Sequence, residues 1–573
     1  MMRWTQITLA TMALLAIGPM PQLVAQQAPA ESESAALRTE LNETRQMLRE
    51  QAEALKSLRG ELEAQRKQIE ALRALTPAML PANDGPATAA QLQNAASALK
   101  KAPAATQTAT ATGTQPAPSK TLAGKKDPPP ADLFFRIGHA TFTPGGWIDF
   151  TTYFRSTDVG SGLGTNFASI PYNNTSQGAL SELRMSAQSS RISMKVDEAV
   201  AGMKAYGYLE ADFNGTLPGN AYVSTNSNTL RMRVYYMDLS TSKWEVLGGQ
   251  SWSLITPTRK ALSPFLADLF NTFHLDTNYQ VGLPYARQTQ LRFIYHPTQE
   301  TSVGISAENP EQYVGSAVAL PALFSSLNEV DTNSSSGSGG ATATPNLHPD
   351  IIAKATLDHK FSGKMWHVGV GGLLTGVHIA TPASVTKANR ETDVREGGAV
   401  MYNLNLELIK GFRLINTGYW SDGGGRYIGG VAPQLVVLQP TSATSPFSAA
   451  LLHAGSGIGG FEWTLPGKMN NTLLSAYASA VYIQRRYGVD PSVKTSTTYI
   501  GYGYPGSPNT NNRLIREYSL ASVTTLWRSS NHGSLQAITQ GSYVERFPWY
   551  VATGAPKAAH TFMEYASLRY LIP

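Results

Sequence analysis

The feature that most constrains the fold is a period of two in hydrophobicity, which recurs along the chain from about residue 134 onward. In the segment 147–155, the apolar residues Ile148, Phe150 and Phe154 alternate with polar ones. Alternate residues of a strand point to opposite faces of its sheet, so each such segment predicts a strand with one apolar and one polar face. The same alternation recurs in 203–213, 230–236 and 288–296.

Sixteen such strands can be counted in this part of the chain. They begin near residues 147, 182, 203, 230, 244, 287, 301, 350, 365, 398, 412, 455, 472, 514, 534 and 560. Short connections alternate with long ones such as 156–180, 256–286 and 311–347. An even number of strands, with short turns at one end and long loops at the other, is typical of a transmembrane barrel. The sheet must close because lipid cannot pair backbone groups, so we predict an all-β barrel of 16 antiparallel strands over residues 133–573.

The first 25 residues have the pattern of an export signal. Arg3 precedes a short apolar run, Ile7–Ile17, and a small residue, Ala25, ends the segment. The run is short for a membrane-spanning helix, which is the alternative interpretation. We therefore predict a signal peptide over residues 1–25.

A heptad repeat follows at residues 31–75. One core position is occupied by Leu41, Leu48, Leu55, Leu62 and Ile69, while charged residues flank the core. A single helix cannot bury such a stripe by itself, so the repeat predicts an α-helical coiled coil that oligomerises the chain. A helix packed on its own domain is the alternative. Residues 76–132 are rich in Ala, Pro and Thr, which predicts a disordered linker.

Composition excludes several functions. The chain has no cysteine, which rules out a thiolate metal site and a cysteine nucleophile, and its net charge of +6 is small for 573 residues, which disfavours a nucleic-acid partner. No Walker motif and no His-Glu-x-x-His motif occurs, so we predict no catalytic site, no metal and no cofactor. His359 and His367 straddle a short turn, and two unrelated histidines explain them better than a metal pair.

Three short segments then resemble a known family. They are Gly145-Gly146-Trp147-Ile148-Asp149, Gly248-Gly249-Gln250-Ser251-Trp252 and Tyr565-Ala566-Ser567-Leu568-Arg569-Tyr570-Leu571. Together with the heptads and the strand count, they resemble the trimeric outer-membrane porins of the DcaP-like family. The resemblance implies a homotrimer with a periplasmic coiled coil, and a third long loop, 256–286, that folds into the lumen. The alternative for this loop is a surface position over the barrel mouth.

Charged residues on the predicted lumen faces are the candidates for selectivity. Arginines on the second, fourth and sixth strands form one predicted wall, and carboxylates are predicted across the gap from them. The arginines are Arg184, Arg191, Arg231, Arg233 and Arg292, and the acids are Glu210, Asp212, Asp268 and Asp276. Guanidinium groups match carboxylates in shape and charge, so the wall predicts a preference for anions. The alternative is that the arginines pair with these acids and hold the loop.

These observations predict an outer-membrane porin for passive diffusion of small hydrophilic solutes, with a preference for anions such as dicarboxylates. The predicted surroundings are outer-membrane lipid and lipopolysaccharide, with peptidoglycan a possible contact of the periplasmic stalk. The alternatives are an outer-membrane barrel hydrolase and a trimeric surface adhesin. The chain order argues against an adhesin, because in that class the passenger precedes a barrel segment of few strands.

Overall fold

The structure, a computed structural model, describes residues 133–215, 229–269, 275–315, 317–324, 348–380, 392–439, 447–493 and 495–573. The predicted signal peptide, coiled coil and linker lie outside these residues. Helical structure in the described part is confined to 3-10 turns of three residues each. No helix there is long and apolar enough to cross a membrane.

Strands dominate the described residues. They are β1 Phe135–Ile137, β2 Ala140–Arg155, β3 Glu182–Ser186, β4 Arg191–Val200, β5 Met203–Asp212, β6 Arg231–Ser240, β7 Trp244–Trp252, β8 Arg287–Tyr295, β9 Thr301–Glu308, β10 Asp350–Phe361, β11 Lys364–Ala380, β12 Thr392–Ile409, β13 Phe412–Asp422, β14 Leu435–Leu438, β15 Ser448–Leu451, β16 His453–Thr464, β17 Thr472–Ile483, β18 Arg486–Val489, β19 Tyr499–Tyr502, β20 Asn512–Ser529, β21 Gly533–Pro548 and β22 Ala559–Leu571.

One antiparallel sheet closes on itself into a barrel of sixteen strand positions. Each barrel strand pairs with the next along the chain, β3 and β4 share one position beside β2, and β22 returns to pair with β2. Trp147 lies opposite Leu571 across the closing pair, and Tyr153 lies opposite Tyr565. The predicted 16-stranded antiparallel barrel is confirmed. Most strands begin within two residues of the predicted positions, but β2 and β12 begin earlier, at Ala140 and Thr392.

The two faces of the barrel differ as the alternation predicts. On β2, Ile148 and Phe150 are 63% and 51% exposed on the outer face, whereas Asp149 and Thr151 are buried on the lumen face. The period of two therefore sorts apolar side chains outward and polar ones inward. The inner face of the barrel wall is therefore polar, and its outer face is apolar.

A bulge in β6 corrects the predicted faces of that strand. Glu210 of β5 pairs with Val234 and Ala211 pairs with Met232, so Arg233 is an extra residue in the ladder. The extra residue shifts the alternation by one, because two neighbours then occupy one step of the partner strand. Strict alternation over 230–236 predicts Val234 on the apolar outer face with Met232, and Tyr235 on the opposite face. Instead, Val234 is buried and Tyr235 is exposed. A second interruption of the strand pattern is the break between β3 and β4, at residues 187–190.

The two ends of the barrel are unequal. Short turns such as 201–202, 362–363 and 410–411 join strands at one end, which we call the short-turn rim. Long loops join them at the other end, the long-loop rim; L1 spans 156–181, L3 spans 253–286 and L6 spans 423–452. Apolar loop residues at this end pack together into the main hydrophobic core, among them Phe167 and Ile170 of L1 and Tyr427 of L6. The core therefore lies among the long loops and the barrel residues that they contact.

Candidate functional site

L3 crosses the lumen and is held by the far wall of the barrel. Asn403 Nδ2 of β12 donates to the Thr258 carbonyl at 2.8 Å, and Arg259 of L3 forms an ion pair with Glu462 of β16. The Val281 N–H donates to a carboxylate oxygen of Glu517 on β20 at 2.8 Å. These partners lie on strands far around the barrel from β7 and β8, which L3 connects. The prediction that this loop folds into the lumen is confirmed.

The near wall holds L3 through backbone carbonyls. Arg292 on β8 donates to the carbonyls of Trp252 and Leu262, and the Lys354 Nζ on β10 donates to the Thr256 carbonyl at 2.7 Å. Arg292 is only 2% exposed. Buried carbonyls of an inserted loop need donors, and this guanidinium supplies them. Arg292 therefore does not line an open path, which corrects its predicted place in the arginine wall.

Five of the predicted residues form a compact cluster on β4, β5 and β6. Arg233 donates to Glu210 at 2.7 Å and to Asp212 at 2.8 Å, so one guanidinium bridges two carboxylates. Arg231 forms a second, forked contact with Asp212 at 2.8 and 3.0 Å. Arg191 lies 3.2 Å from Glu210. The strand order β4-β5-β6 produces this cluster, since inward residues of β5 lie between inward residues of its two neighbours.

The positions of Glu210 and Asp212 correct the prediction that these acids face the arginines across the lumen. Both acids lie on the same wall as the arginines and are 3% and 1% exposed. Carboxylates without such partners would not remain charged when buried, because burial of an isolated charge is very costly. The alternative interpretation, pairing between the arginines and these acids, describes the observed contacts.

Aromatic rings extend the cluster on both sides. The Arg191 and Arg569 guanidinium carbons lie 4.3 and 5.0 Å from the centre of the Trp147 ring, within cation–π distance. Arg569 also forms an ion pair with Asp149 at 2.7 Å. On the other side, the Arg233 side chain donates to the Tyr279 hydroxyl of L3 at 3.2 Å. L3 therefore contacts the cluster directly.

Positive charge exceeds negative charge in this region, which we call the arginine cluster. It contains five guanidinium groups and three carboxylates, an excess of two positive charges (5 − 3). The members are Arg191, Arg231, Arg233, Arg287, Arg569, Asp149, Glu210 and Asp212. Arg287 lies near Arg231 and Arg233 and forms no ion pair with a described residue. Among the guanidinium groups of the cluster that form ion pairs, that of Arg231 belongs to the most exposed side chain, at 34%.

Arg184 lies on the lumen face of β3, opposite Tyr153, and outside the arginine cluster. Its side chain is 54% exposed, and it donates to Glu182 at 2.9 Å. The same Glu182 accepts from the buried Arg155. Arg184 therefore adds exposed positive charge near the long-loop end of the same wall.

The two acids of L3 have different surroundings. Asp268 is partly exposed and accepts a hydrogen bond from the Ser263 hydroxyl at 2.8 Å, so it stabilises the turn in which it lies. Asp276 is fully buried and accepts from the Thr165 N–H of L1 at 3.1 Å and from the Tyr565 hydroxyl at 3.2 Å. Burial raises the pKa of the Asp276 carboxyl, although the nearby Arg155 guanidinium opposes that shift. Asp276 joins L1 to L3, which corrects its predicted position facing the pore.

Sequence reasoning missed several residues of this site. Arg569 contacts Trp147 because β22 pairs with β2. A local sequence pattern cannot predict a contact between residues 422 positions apart. Arg259 lies in a loop whose path has no periodicity. The sequence could have placed Trp147 in this site, because Trp147 precedes Asp149 by two residues in a strand and therefore lies on the same face.

Comparison with solved structures identifies the fold. The outer membrane channel DcaP of Acinetobacter baumannii matches with a TM-score of 0.53 at 13% identity, over 76% of this chain and 99% of that chain. This chain has the fold of an outer-membrane porin. An anion-selective porin from Comamonas acidovorans matches the porin fold with a TM-score of 0.41 at 10% identity, over 76% of this chain and all of that chain. No protein-family model and no curated protein sequence matches the chain.

Proposed function

We propose that this protein is an outer-membrane diffusion porin that prefers small anions. The observation that carries the proposal is L3, which crosses the lumen and contacts a wall with an excess of positive charge. A narrowed, partly dehydrated path strengthens the attraction between exposed guanidinium groups and passing anions. Dicarboxylates suit such a path because two separated guanidinium groups can each contact one carboxylate.

The proposed location is the outer membrane, with the apolar outer face of the barrel against lipid and lipopolysaccharide. On that face, the side chains of Leu183, Met185 and Leu291 are more than 60% exposed in a single chain. Exposure of so many apolar side chains to water is unfavourable, whereas lipid accommodates them. The proposed assembly is a homotrimer. Residues 31–75 would form a periplasmic coiled-coil stalk joined to the barrel by the linker 76–132, within reach of peptidoglycan.

Reconstitution in planar bilayers tests this function. We expect single-channel conductance and a reversal potential in a salt gradient that reports anion preference. Arg184→Ala combined with Arg231→Ala should shift the reversal potential toward cations, because these two guanidinium groups are the exposed ones on the wall. The shift should shrink toward 1 M salt, where the Debye length falls to about 3 Å.

The matched control is Arg516→Ala, which removes positive charge from the outer face, where Arg516 pairs with Glu545. It should leave the reversal potential unchanged. A double variant that folds and keeps the wild-type selectivity would reject the arginine wall as the source of selectivity. Absence of conductance from the folded wild-type protein would reject the porin function itself.

A further inference from the structure

A second polar site lies below L3, near the short-turn rim. Here the wall formed by β5, β6, β7 and β8 and the L3 segment 261–265 line a partly open cavity of about 160 Å³. Its polar lining comes from Lys204, Tyr206, Tyr236, Asp238, Glu245 and His296. We call it the Asp238 cavity. It lies on the same strands as the arginine cluster but at their opposite ends, so it is a separate site.

Three buried oxygen atoms of this cavity have no hydrogen-bond partner among the described residues. They are Asp238 Oδ1, Tyr206 Oη and Tyr236 Oη, on residues that are 9%, 7% and 6% exposed. A buried polar atom without a partner is unfavourable, so three together indicate that something else binds there.

Two carboxylates and one lysine lie in the cavity lining, and the buried Arg292 guanidinium lies close enough to both acids to offset part of their charge. Asp238 forms no ion pair with a described residue, whereas Glu245 is paired with the His296 ring at 2.8 Å. Lys204 is the one lysine in the lining; its Nζ is 3.7 Å from Asp197 and 5.6 Å from the Tyr206 ring centre. An ammonium group thus already lies beside this aromatic wall, and its carboxylate partner, Asp197, is not part of the cavity lining.

Aromatic rings complete the enclosure. The Tyr206 and Tyr236 rings are 6.3 Å apart, and Phe265 of L3 packs edge-on against Tyr206 at 4.9 Å. Ring faces attract cations, and they attract them more strongly where water is excluded. L3 therefore both narrows the lumen above and closes this cavity below.

We propose that the Asp238 cavity binds the ammonium group of a small primary amine. A primary ammonium has three N–H donors and one positive charge, and the cavity offers three unpartnered oxygen atoms, one of which belongs to the Asp238 carboxylate. The ammonium donates to Asp238 Oδ1 and to the two phenol oxygens, while its short alkyl group packs against the rings. This inference goes beyond the proposed function, because binding requires no flow through the barrel.

Saturation-transfer NMR on the purified full-length protein in detergent tests the site, with ethylammonium as the probe at constant ionic strength. We expect ethylammonium to bind at least tenfold more tightly than tetramethylammonium, which has the same charge and no N–H donor. Asp238→Asn should weaken ethylammonium binding at least tenfold. Glu545→Gln, which removes an equal charge from the outer face, should leave binding unchanged.

Further variants keep the test independent of folding problems. Tyr236→Phe keeps the ring and removes one acceptor, so it should weaken binding several-fold even if Asp238→Asn fails to fold. Lys204→Met should strengthen binding by removing the neighbouring ammonium. Equal binding of tetramethylammonium, displacement of the probe by sodium at equal concentration, or no binding to the folded wild type would each overturn the proposal. The last result would mean that the cavity holds water only.

Discussion

At the residue scale, buried carboxylates organise the interior of this barrel. Glu210 and Asp212 each form ion pairs with two guanidinium groups, and Glu462 accepts from Arg259 and from the Tyr477 hydroxyl. Removal of one partner from such a pair leaves a buried charge and costs about 3–5 kcal/mol. The Asp276 carboxyl differs, because its named hydrogen bonds come from a backbone N–H and a phenol rather than from a cation.

Asp276 makes a pH-dependent prediction. Its folded-state pKa is raised by burial, so the folded protein holds this proton at pH values where the unfolded chain, with a pKa near about 3.9, has released it. This carboxyl therefore contributes most to stability below pH ~4, and the contribution is lost as pH rises through the raised pKa.

Urea unfolding in lipid vesicles measures this effect. The free energy of unfolding of the wild type, relative to Asp276→Asn, should fall as pH increases from about 4, since asparagine cannot ionise. The changed hydrogen bonding of asparagine is a constant offset across the series. A difference between the two proteins that stays flat or rises with pH would contradict the prediction.

At the scale of single elements, two adjacent glycines of β7 differ in backbone conformation. Gly249 adopts a positive φ that favours glycine, whereas Gly248 does not. Gly249 has a φ of +129°, and a Cβ there would lie 2.6 Å from the Tyr235 carbonyl oxygen across the strand pair. Gly248 has no such φ, and a Cβ would meet nothing within 4 Å. The two adjacent positions form a matched pair for testing backbone strain.

Gly249→Ala should therefore destabilise the barrel by about 1–3 kcal/mol, the usual cost of a forced backbone conformation. Gly248→Ala should change stability by less than ~1 kcal/mol, because added methyl groups in open space cause no clash. Urea unfolding in vesicles compares both variants with the wild type. Equal effects of the two substitutions would show that the local conformation of β7 does not require glycine at 249.

L3 is the element whose position governs the lumen. Its contact with the far wall depends on the forked ion pair between Arg259 and Glu462, with oxygen–nitrogen distances of 2.5 and 2.6 Å. Glu462→Gln should loosen the loop and raise single-channel conductance, because the buried guanidinium loses its charge partner. Glu545→Gln is the control with the same chemical change on the outer face. Unchanged conductance in a folded Glu462→Gln protein would show that other contacts suffice to hold L3.

At the scale of the whole molecule, barrel and stalk are predicted to act separately. The sequence of the linker 76–132 has few apolar residues, so we do not expect it to hold the stalk and the barrel in a fixed arrangement. The barrel should therefore fold without the heptads. A variant of the full chain lacking residues 31–75 should keep heat-modifiable electrophoretic mobility and conductance.

Sedimentation of the full chain and of the variant without the heptads tests the assembly. We expect trimers for the full chain and a weaker, concentration-dependent trimer for the variant, because only barrel contacts remain. Identical trimer stability in both would contradict a role for the heptads in assembly. A monomeric full chain would contradict the trimer itself.

Local sequence patterns were sufficient to predict the barrel. Alternation along each strand, as at 147–155, and the contrast between short and long connections are local properties, so the strand count and both faces could be predicted. Entry of L3 into the lumen was expected only from the family resemblance. Local patterns failed where one residue shifts a register, as Arg233 does in β6.

Only the tertiary structure decided which charged residues meet. Arg292 and Asp276 are both among the predicted selectivity residues, yet backbone carbonyls use the donors of Arg292 and L1 contacts Asp276. The physical reason is that the interaction energy of a charged side chain depends on its partners, and these partners lie hundreds of residues away in the sequence. A sequence shows which face of a strand an arginine occupies, whereas barrel closure and loop packing determine whether that arginine contacts water, a carboxylate or a carbonyl.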